Sequence, residues 1–352
     1  MEIRVEVADA NVWDAALLQL PAPHVLQSWA WGAFKARHGW EATPLLWRDA
    51  EQTPRAAALL LQRRSGGRAL LYTPKGPLLD WTDMALAERV LADLATYARD
   101  HAALLLKIDP DVRSDTSAGA AVMALLQRRG WRRAFEQVQF KNTMCLDLTP
   151  ELDTLMAGMK SKWRYNVRLA VRRGVNVREA EVAELPVLYE MYAETALRDG
   201  FIIREAAYYL DAWRTFVEAG LALPLVAEYE GALLSMLILF HFGARAWYMY
   251  GASRELHRQV MPNHLLQWET IRRAQALGCR VYDLWGAPDV LDESDPLWGV
   301  YRFKEGFGAA FTPHIGAYDY TPQGWLYRLY RWARSPLLSL AQWRYWRAKS
   351  EG

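Results

Sequence analysis

The chain has 352 residues, 52% of them apolar and 23% charged, with a formal net charge of +2. That length suits two packed domains, the apolar content excludes a disordered chain, and the small charge argues against wholesale coating of nucleic acid. Two cysteines without a CxxC spacing and seven histidines announce no metal site. No apolar run reaches the roughly 18–20 residues of a membrane helix, and the opening MEIRVEVADANVWD lacks a signal core, so a cytoplasmic protein is expected.

A helix is expected over 28–38, capped by Ser28 and stopped by Gly39. Strands follow at 42–48, 56–63 and 69–73. Residues 83–101 place Ala87, Val90, Leu91, Leu94 and Ala98 on one helical face. A buried strand at 103–108, a helix at about 116–129 and a strand near 137–146 complete the first half. The second half has helices near 184–199 and 206–219, then strands at 224–228, 232–242 and 246–250. A loop leads to Pro262 and Asn263, which open a helix with Leu265, Trp268, Ile271 and Ala274 at helical spacing, ended by Gly278. A strand at 280–285, a short helix near 298–305 and a final strand at about 309–318 close it. The two free thiols, Cys145 and Cys279, are expected buried and reduced, and most of the seventeen tryptophans are expected in the core.

Each half therefore reads helix, three antiparallel strands, helix, strand, helix, strand. This is the element order of the acetyltransferase (GNAT) fold. The expected architecture is α/β (α+β), with two tandem GNAT-like acyltransferase domains at 1–147 and 148–320 and a helical tail at 321–352.

Between the halves, Thr149 and Pro150 start a helix that runs into MKSKWRYNVRLAVRRGVNV. Met159, Trp163, Val167 and Ala170 form an apolar stripe, while Arg164, Arg168 and Arg172 form a basic one beside Lys160, Lys162 and Arg173. Residues 160–178 hold seven Lys/Arg and no acid. Like charges four residues apart repel by a few tenths of a kcal/mol each, so a helix that tolerates them without interleaved acids suits a polyanion. The tail over 325–350 has six Lys/Arg, seven Trp/Tyr and no acid. It fits an anionic membrane surface or docking onto its own domain.

An acetyltransferase that uses coenzyme A cradles the pyrophosphate on a glycine-rich turn. The two corresponding segments read TPKGPLLDWTD and GASRELHRQVMPNH, without the R/Q-x-x-G-x-G/A pattern, so the acyl carrier is another group or catalysis is lost. No Ser-His-Asp or Cys-His arrangement stands out. Direct attack of an amine on an activated ester needs positioning, a proton acceptor and a positive group for the oxyanion. Lys304 beside Phe303 fits the last role, or is a surface lysine paired with Glu305 or Asp295.

Six ordered blocks resemble the Fem aminoacyltransferases: Gln27-Ser28-Trp29-Ala30-Trp31-Gly32-x-x-Lys35, residues 159–177, Tyr250-Gly251-Ala252-Ser253, Pro262-Asn263-x-Leu265-Leu266-Gln267-Trp268-Glu269, Tyr282-Asp283-Leu284-Trp285-Gly286 and Phe303-Lys304-Glu305-Gly306-Phe307-Gly308. The resemblance, to the compact members without a helical insertion, spans about residues 25–320. It implies transfer of glycine, alanine or serine from aminoacyl-tRNA to a side-chain amine of a peptidoglycan precursor, UDP-MurNAc-pentapeptide or lipid II, by a monomer needing no cofactor. It implies that Lys35 and Arg204, with Tyr208, bind the precursor's diphosphate. Tyr248 or Tyr250 on one strand face, Tyr250 being favoured, and Asn263 would also meet the precursor. Lys304 and Phe303 would face the aminoacyl end, and Asp109 is a candidate proton acceptor. Lys160, Lys162, Arg164, Arg168 and Arg172 would hold the tRNA. Where compact members offer a small hydroxyl residue, this chain has Ile202. The rival readings are an N-acyltransferase acting on another amine and a non-catalytic tRNA- or membrane-binding module.

Overall fold

The structure is a computed structural model that describes residues 3–65, 67–325, 327, 328 and 332. The first half contains β1 (Ile3–Glu6), α1 (Ala10–Leu17), α2 (Trp29–Arg37), β2 (Glu41–Arg48), β3 (Pro54–Ser65), β4 (Arg68–Thr73), β5 (Leu78–Leu79), α3 (Met84–Asp100), β6 (Ala103–Ile108), α4 (Ser117–Arg128), β7 (Arg132–Arg133) and β8 (Asn142–Asp147). Polar caps fix the starts of α2, α3 and α4, the first of them at Ser28 as the sequence implies. The Oγ of Ser28 accepts from Trp31 N at 3.3 Å, and Asp83 and Thr116 cap α3 and α4 in the same way.

The second half runs α5 (Leu152–Gly158), α6 (Ser161–Arg173), β9 (Asn176–Glu179), α7 (Leu185–Asp199), α8 (Ala206–Glu218), β10 (Ala222–Tyr229), β11 (Ala232–Phe242), β12 (Arg245–Ser253), α9 (Pro262–Ala276), β13 (Val281–Ala287), α10 (Trp298–Glu305), β14 (Ala310–Thr312) and β15 (Tyr318–Tyr320). In each half an antiparallel meander ends in a parallel pair, β4 with β6 and β12 with β13. The crossover helices are α3 and α9.

The layers follow from alternation along the strands. Ala57, Leu59 and Leu61 of β3 face one core, and Ala56, Ala58 and Leu60 face another. The central core lies between the two sheets and takes α1, α2, α7 and α8, with Trp13, Trp213 and Trp247 fully buried in it. A second core packs α3 and α4 on the outer face of the first sheet. A third packs α5, α6 and α9 on the outer face of the second.

The strand order is β1-β2-β3-β4-β6-β15-β7 in one sheet, with β5 alongside β3, and β14-β8-β13-β12-β11-β10-β9 in the other. The two halves therefore exchange strands. β8 leaves the first half to lie between β13 and β14, and β15 returns from the second to lie between β6 and β7. Residue 147, the expected domain boundary, ends β8 but is not a division between sheets.

Three local expectations are corrected. The strand near 137–146 begins at Asn142, and the segment before it is irregular. The single final strand over 309–318 is two short strands, β14 and β15, which belong to different sheets. The helix beginning at Thr149 and Pro150 starts after Glu151 instead and breaks at Met159, where the backbone is extended (ψ 153°). The guanidinium of Arg164 donates to the carbonyls of Ala157 and Met159 at that break. The expected tail lies outside the described residues except for 321–325, 327, 328 and 332. Cys279 is buried and Cys145 half-buried, both unpaired, and burial pushes their thiols up to about 11 and about 12. No helix among the described residues is long and apolar enough to cross a membrane.

Candidate functional site

The C-terminal part of β12 organises two cavities. β11 and β12 pair Leu237 with Gly251 and Ile238 with Tyr250, but Leu239 with Tyr248, so Met249 is an extra residue, a β-bulge. Without it, Tyr248 and Tyr250 would share a face, which was the expectation. With it, Tyr248 packs into the outer core of the second sheet and Tyr250 into the core between the sheets. Each lines a different cavity. Gly251 has its own reason: a Cβ there would lie 2.2 Å from the Tyr248 hydroxyl.

The larger cavity, about 780 Å3, holds Lys35, Arg204, Tyr208 and Tyr250 together. Lys35 is buried, 8% exposed, and its Nζ donates to the Tyr208 hydroxyl at 3.2 Å. The ammonium lies 5.4 to 5.8 Å from the ring centres of Trp40, Tyr208, Trp31 and Phe34. Burial, then Arg204 and Arg63, push it down to about 8. Arg204 stacks on Tyr208 at 4.5 Å, and Arg63 reaches the same cavity from β3 over Trp40 at 6.0 Å. None of these three cations has an ion-pair partner among the described residues, so the pocket is built for an anion. Arg63 was missed in the sequence because strand alternation alone makes it a surface residue. Its signal was the acid-free stretch around the β3–β4 hairpin.

The smaller cavity, about 330 Å3, is lined by Lys304, Phe303, Tyr248 and Asn263. α10 buries Lys304, 4% exposed, and its Nζ donates to the carbonyls of Trp285 at 2.8 Å and Gly286 at 2.6 Å. That leaves one N–H of the ammonium unassigned. Burial pushes Lys304 down to about 7, with Asp283 opposing. It is thus not a surface lysine: Glu305 pairs with Lys160 instead, and Asp295 accepts from Leu297 N. Phe201 lines both cavities, so they adjoin.

The basic helix α6 abuts this end. Trp163 Nε1 donates to Phe303 O at 3.0 Å, and Lys160 N donates to Gly306 O at 2.9 Å. Gly306 permits the contact, because a Cβ there would lie 2.1 Å from the Trp163 ring. Lys162, Arg168 and Arg172 are exposed, while Arg164 is half-buried against the α5–α6 break.

Asp109 lies elsewhere. It lines neither cavity; it accepts from the Tyr72 hydroxyl at 2.7 Å and from Lys75 N at 2.5 Å, and burial pushes it up to about 6. It belongs to a buried ion network between the sheets. Lys75 pairs with Asp111 at 3.0 Å, and Arg245 pairs with Asp283 at 2.7 Å. His24 and His314 flank Asp111 at 3.8 and 3.9 Å. Burial pushes His24 down to about 3, so it is neutral there. Asp283 also accepts from Trp285 N at 2.8 Å, holding that residue at φ +60°, which presents the carbonyls that Lys304 meets.

Comparison with known proteins shows what the chain is similar to. The FemAB family model matches residues 17–230 and 225–335. Lipid II:glycine glycyltransferases of Staphylococcus epidermidis and Staphylococcus aureus are each 24% identical to the chain, over 90% of it and 92% of their own length. The crystal structure of FemX superposes with a TM-score of 0.84 at 22% identity, covering 94% of this chain and 99% of the other. A tandem GNAT protein from the clavulanic acid biosynthesis pathway superposes with a TM-score of 0.55 at 15% identity, covering 91% and 98%.

Proposed function

The chain belongs to the FemAB family, and on that premise we propose that it is an aminoacyltransferase that begins the interpeptide bridge of a peptidoglycan precursor. By likeness to the glycyltransferases above, the residue transferred is glycine and the acceptor is lipid II. The donor in this reading is aminoacyl-tRNA. The observation that carries it is the pairing of a cationic cavity with an adjoining one that ends at a buried lysine.

Lys35 and Arg204, with Arg63, hold the acceptor's diphosphate, and Tyr208 fixes the lysine. The acceptor's side-chain amine attacks the ester carbonyl of the donor. A C–N bond forms, the ester C–O bond breaks, and the amine's proton leaves with the ribose hydroxyl. The remaining N–H of Lys304 stabilises the carbonyl oxygen as it gains charge, where the site is dry enough for that charge to matter. Phe303 and Asn263 bound the space for the aminoacyl end. The exposed cations of α6 meet the tRNA backbone. Asp109 holds Tyr72 in the cavity wall and does not meet the reacting atoms.

A transfer assay tests this. Purified protein is mixed with tRNA charged with labelled glycine, alanine or serine, plus lipid-linked or UDP-linked muropeptide. Label passing from glycyl-tRNA to a muropeptide is the expected result. Turnover of an acyl-coenzyme A on another amine, with none from any charged tRNA, would overturn the reading.

A further inference from the structure

Lys35 is buried at the floor of the large cavity, while Arg63 and Arg204 are exposed at its opening beside a rim rich in apolar side chains. Phe135, Val138, Phe140, Phe201 and Ile202 all line it and are 47, 52, 48, 36 and 55% exposed, so they form its rim. Single exposed apolar side chains are ordinary, whereas five around one opening mark an interaction surface.

The surroundings say what covers it. The β3–β4 hairpin turns beside the mouth, and Arg63, Arg64 and Arg68 stand at that turn, opposite Leu70, Ala69 and Ser65. None of the three has an ion-pair partner among the described residues, and no acid occurs between Thr53 and Leu79. β15 runs antiparallel to β6, and β6 runs parallel to β4. The chain leaving Tyr320 therefore heads for the same edge as the hairpin turn. Trp325 on it is 61% exposed, while Tyr327 turns back to line the cavity. The sequence over 325–350 adds six Lys/Arg and no acid.

The geometry points to this face seating on an anionic lipid bilayer, with the rim entering the headgroup level and Arg64 and Arg68 meeting lipid phosphates. Basic and aromatic residues around an apolar rim are the composition such a surface selects. The inference rests on the diphosphate role proposed for the cavity. A diphosphate joined to a lipid sits at the headgroup level, so the opening that receives it must face the bilayer, whereas a soluble acceptor would not require such a rim.

Flotation with vesicles of phosphatidylglycerol and phosphatidylethanolamine, free of any precursor, tests it. The wild-type protein is expected to float with them, and not with phosphatidylcholine alone. Arg64→Glu with Arg68→Glu should lower the bound fraction more than tenfold and leave transfer to a UDP-linked acceptor at the wild-type rate. Val138→Asp with Ile202→Asp should also abolish flotation. Protein that stays in solution with the anionic vesicles at low salt, or a double charge reversal that floats like wild type, would overturn the proposal. Flotation as expected, with no transfer to any acceptor, would leave the membrane face standing and sink the functional reading instead.

Discussion

Lys304 illustrates how one side chain gets its chemistry from burial. An ammonium held by two main-chain carbonyls in a nearly dry site is pushed down to about 7, so its charge is present below that pH and lost above it. As oxyanion donor it is needed protonated. The ratio of wild-type to Lys304→Met turnover should therefore exceed a hundredfold at pH 6 and shrink as pH rises through about 7. Acceptor binding should change little; a ratio that grows with pH would make Lys304 a base. Lys35 carries the parallel case. It sits at about 8 because of burial and two neighbouring arginines. An anion favours its charged form, so pyrophosphate binding near pH 8 should take up protons, and affinity should fall as pH rises further. Calorimetry in buffers of different ionisation enthalpy reads this directly, and Lys35→Met should remove the proton uptake.

At the scale of elements, the bulge at Met249 divides two tyrosines that strand alternation alone would place together. Period-two reasoning identified both residues, but a one-residue insertion is invisible in a hydrophobic pattern, so the shared face was misplaced. The consequence is separable effects. Tyr250→Phe should raise the acceptor KM, Tyr248→Phe should act at the donor end, and equal effects of both on one substrate would refute the division. The start of α2 was legible because Ser28 announces itself, and the six sequence blocks map onto the walls of the two cavities or their support. The α5–α6 break was not legible, because it depends on the guanidinium of Arg164 reaching back to two carbonyls. That residue thus supports the helix start as well as bearing charge. Reversal of Lys162, Arg168 and Arg172 avoids this complication. It should raise the KM for charged tRNA at least tenfold and flatten its salt dependence; an unchanged KM would make α6 an ordinary solvated helix.

For the whole molecule, the doubled order of elements was readable along the chain, but the exchange of β8 and β15 was not. Both are short, both look like the last strand of their own half, and only the pairing partner differs. The exchange ties each sheet to the other half, and the buried pairs Lys75–Asp111 and Arg245–Asp283 lie between them. Removing one partner of such a pair costs about 3–5 kcal/mol. Residues 1–147 and 148–352 expressed apart should each fail to give a cooperative unfolding transition, and co-expression should restore one. Two independently melting halves would contradict the interlocked arrangement.

The same exchange sets a timetable for synthesis on the ribosome. β6, with the apolar sequence ALLLKI, has β4 along one side, but its other side waits for residues 318–320. At about 5–20 residues per second, that edge stays uncovered for roughly ten to forty seconds after β6 is made. The nascent first half is therefore an open-edged sheet throughout that interval, when a neighbouring chain could pair with it. A ribosome-associated chaperone that shields strand edges would therefore matter to this protein until residues 318–320 arrive.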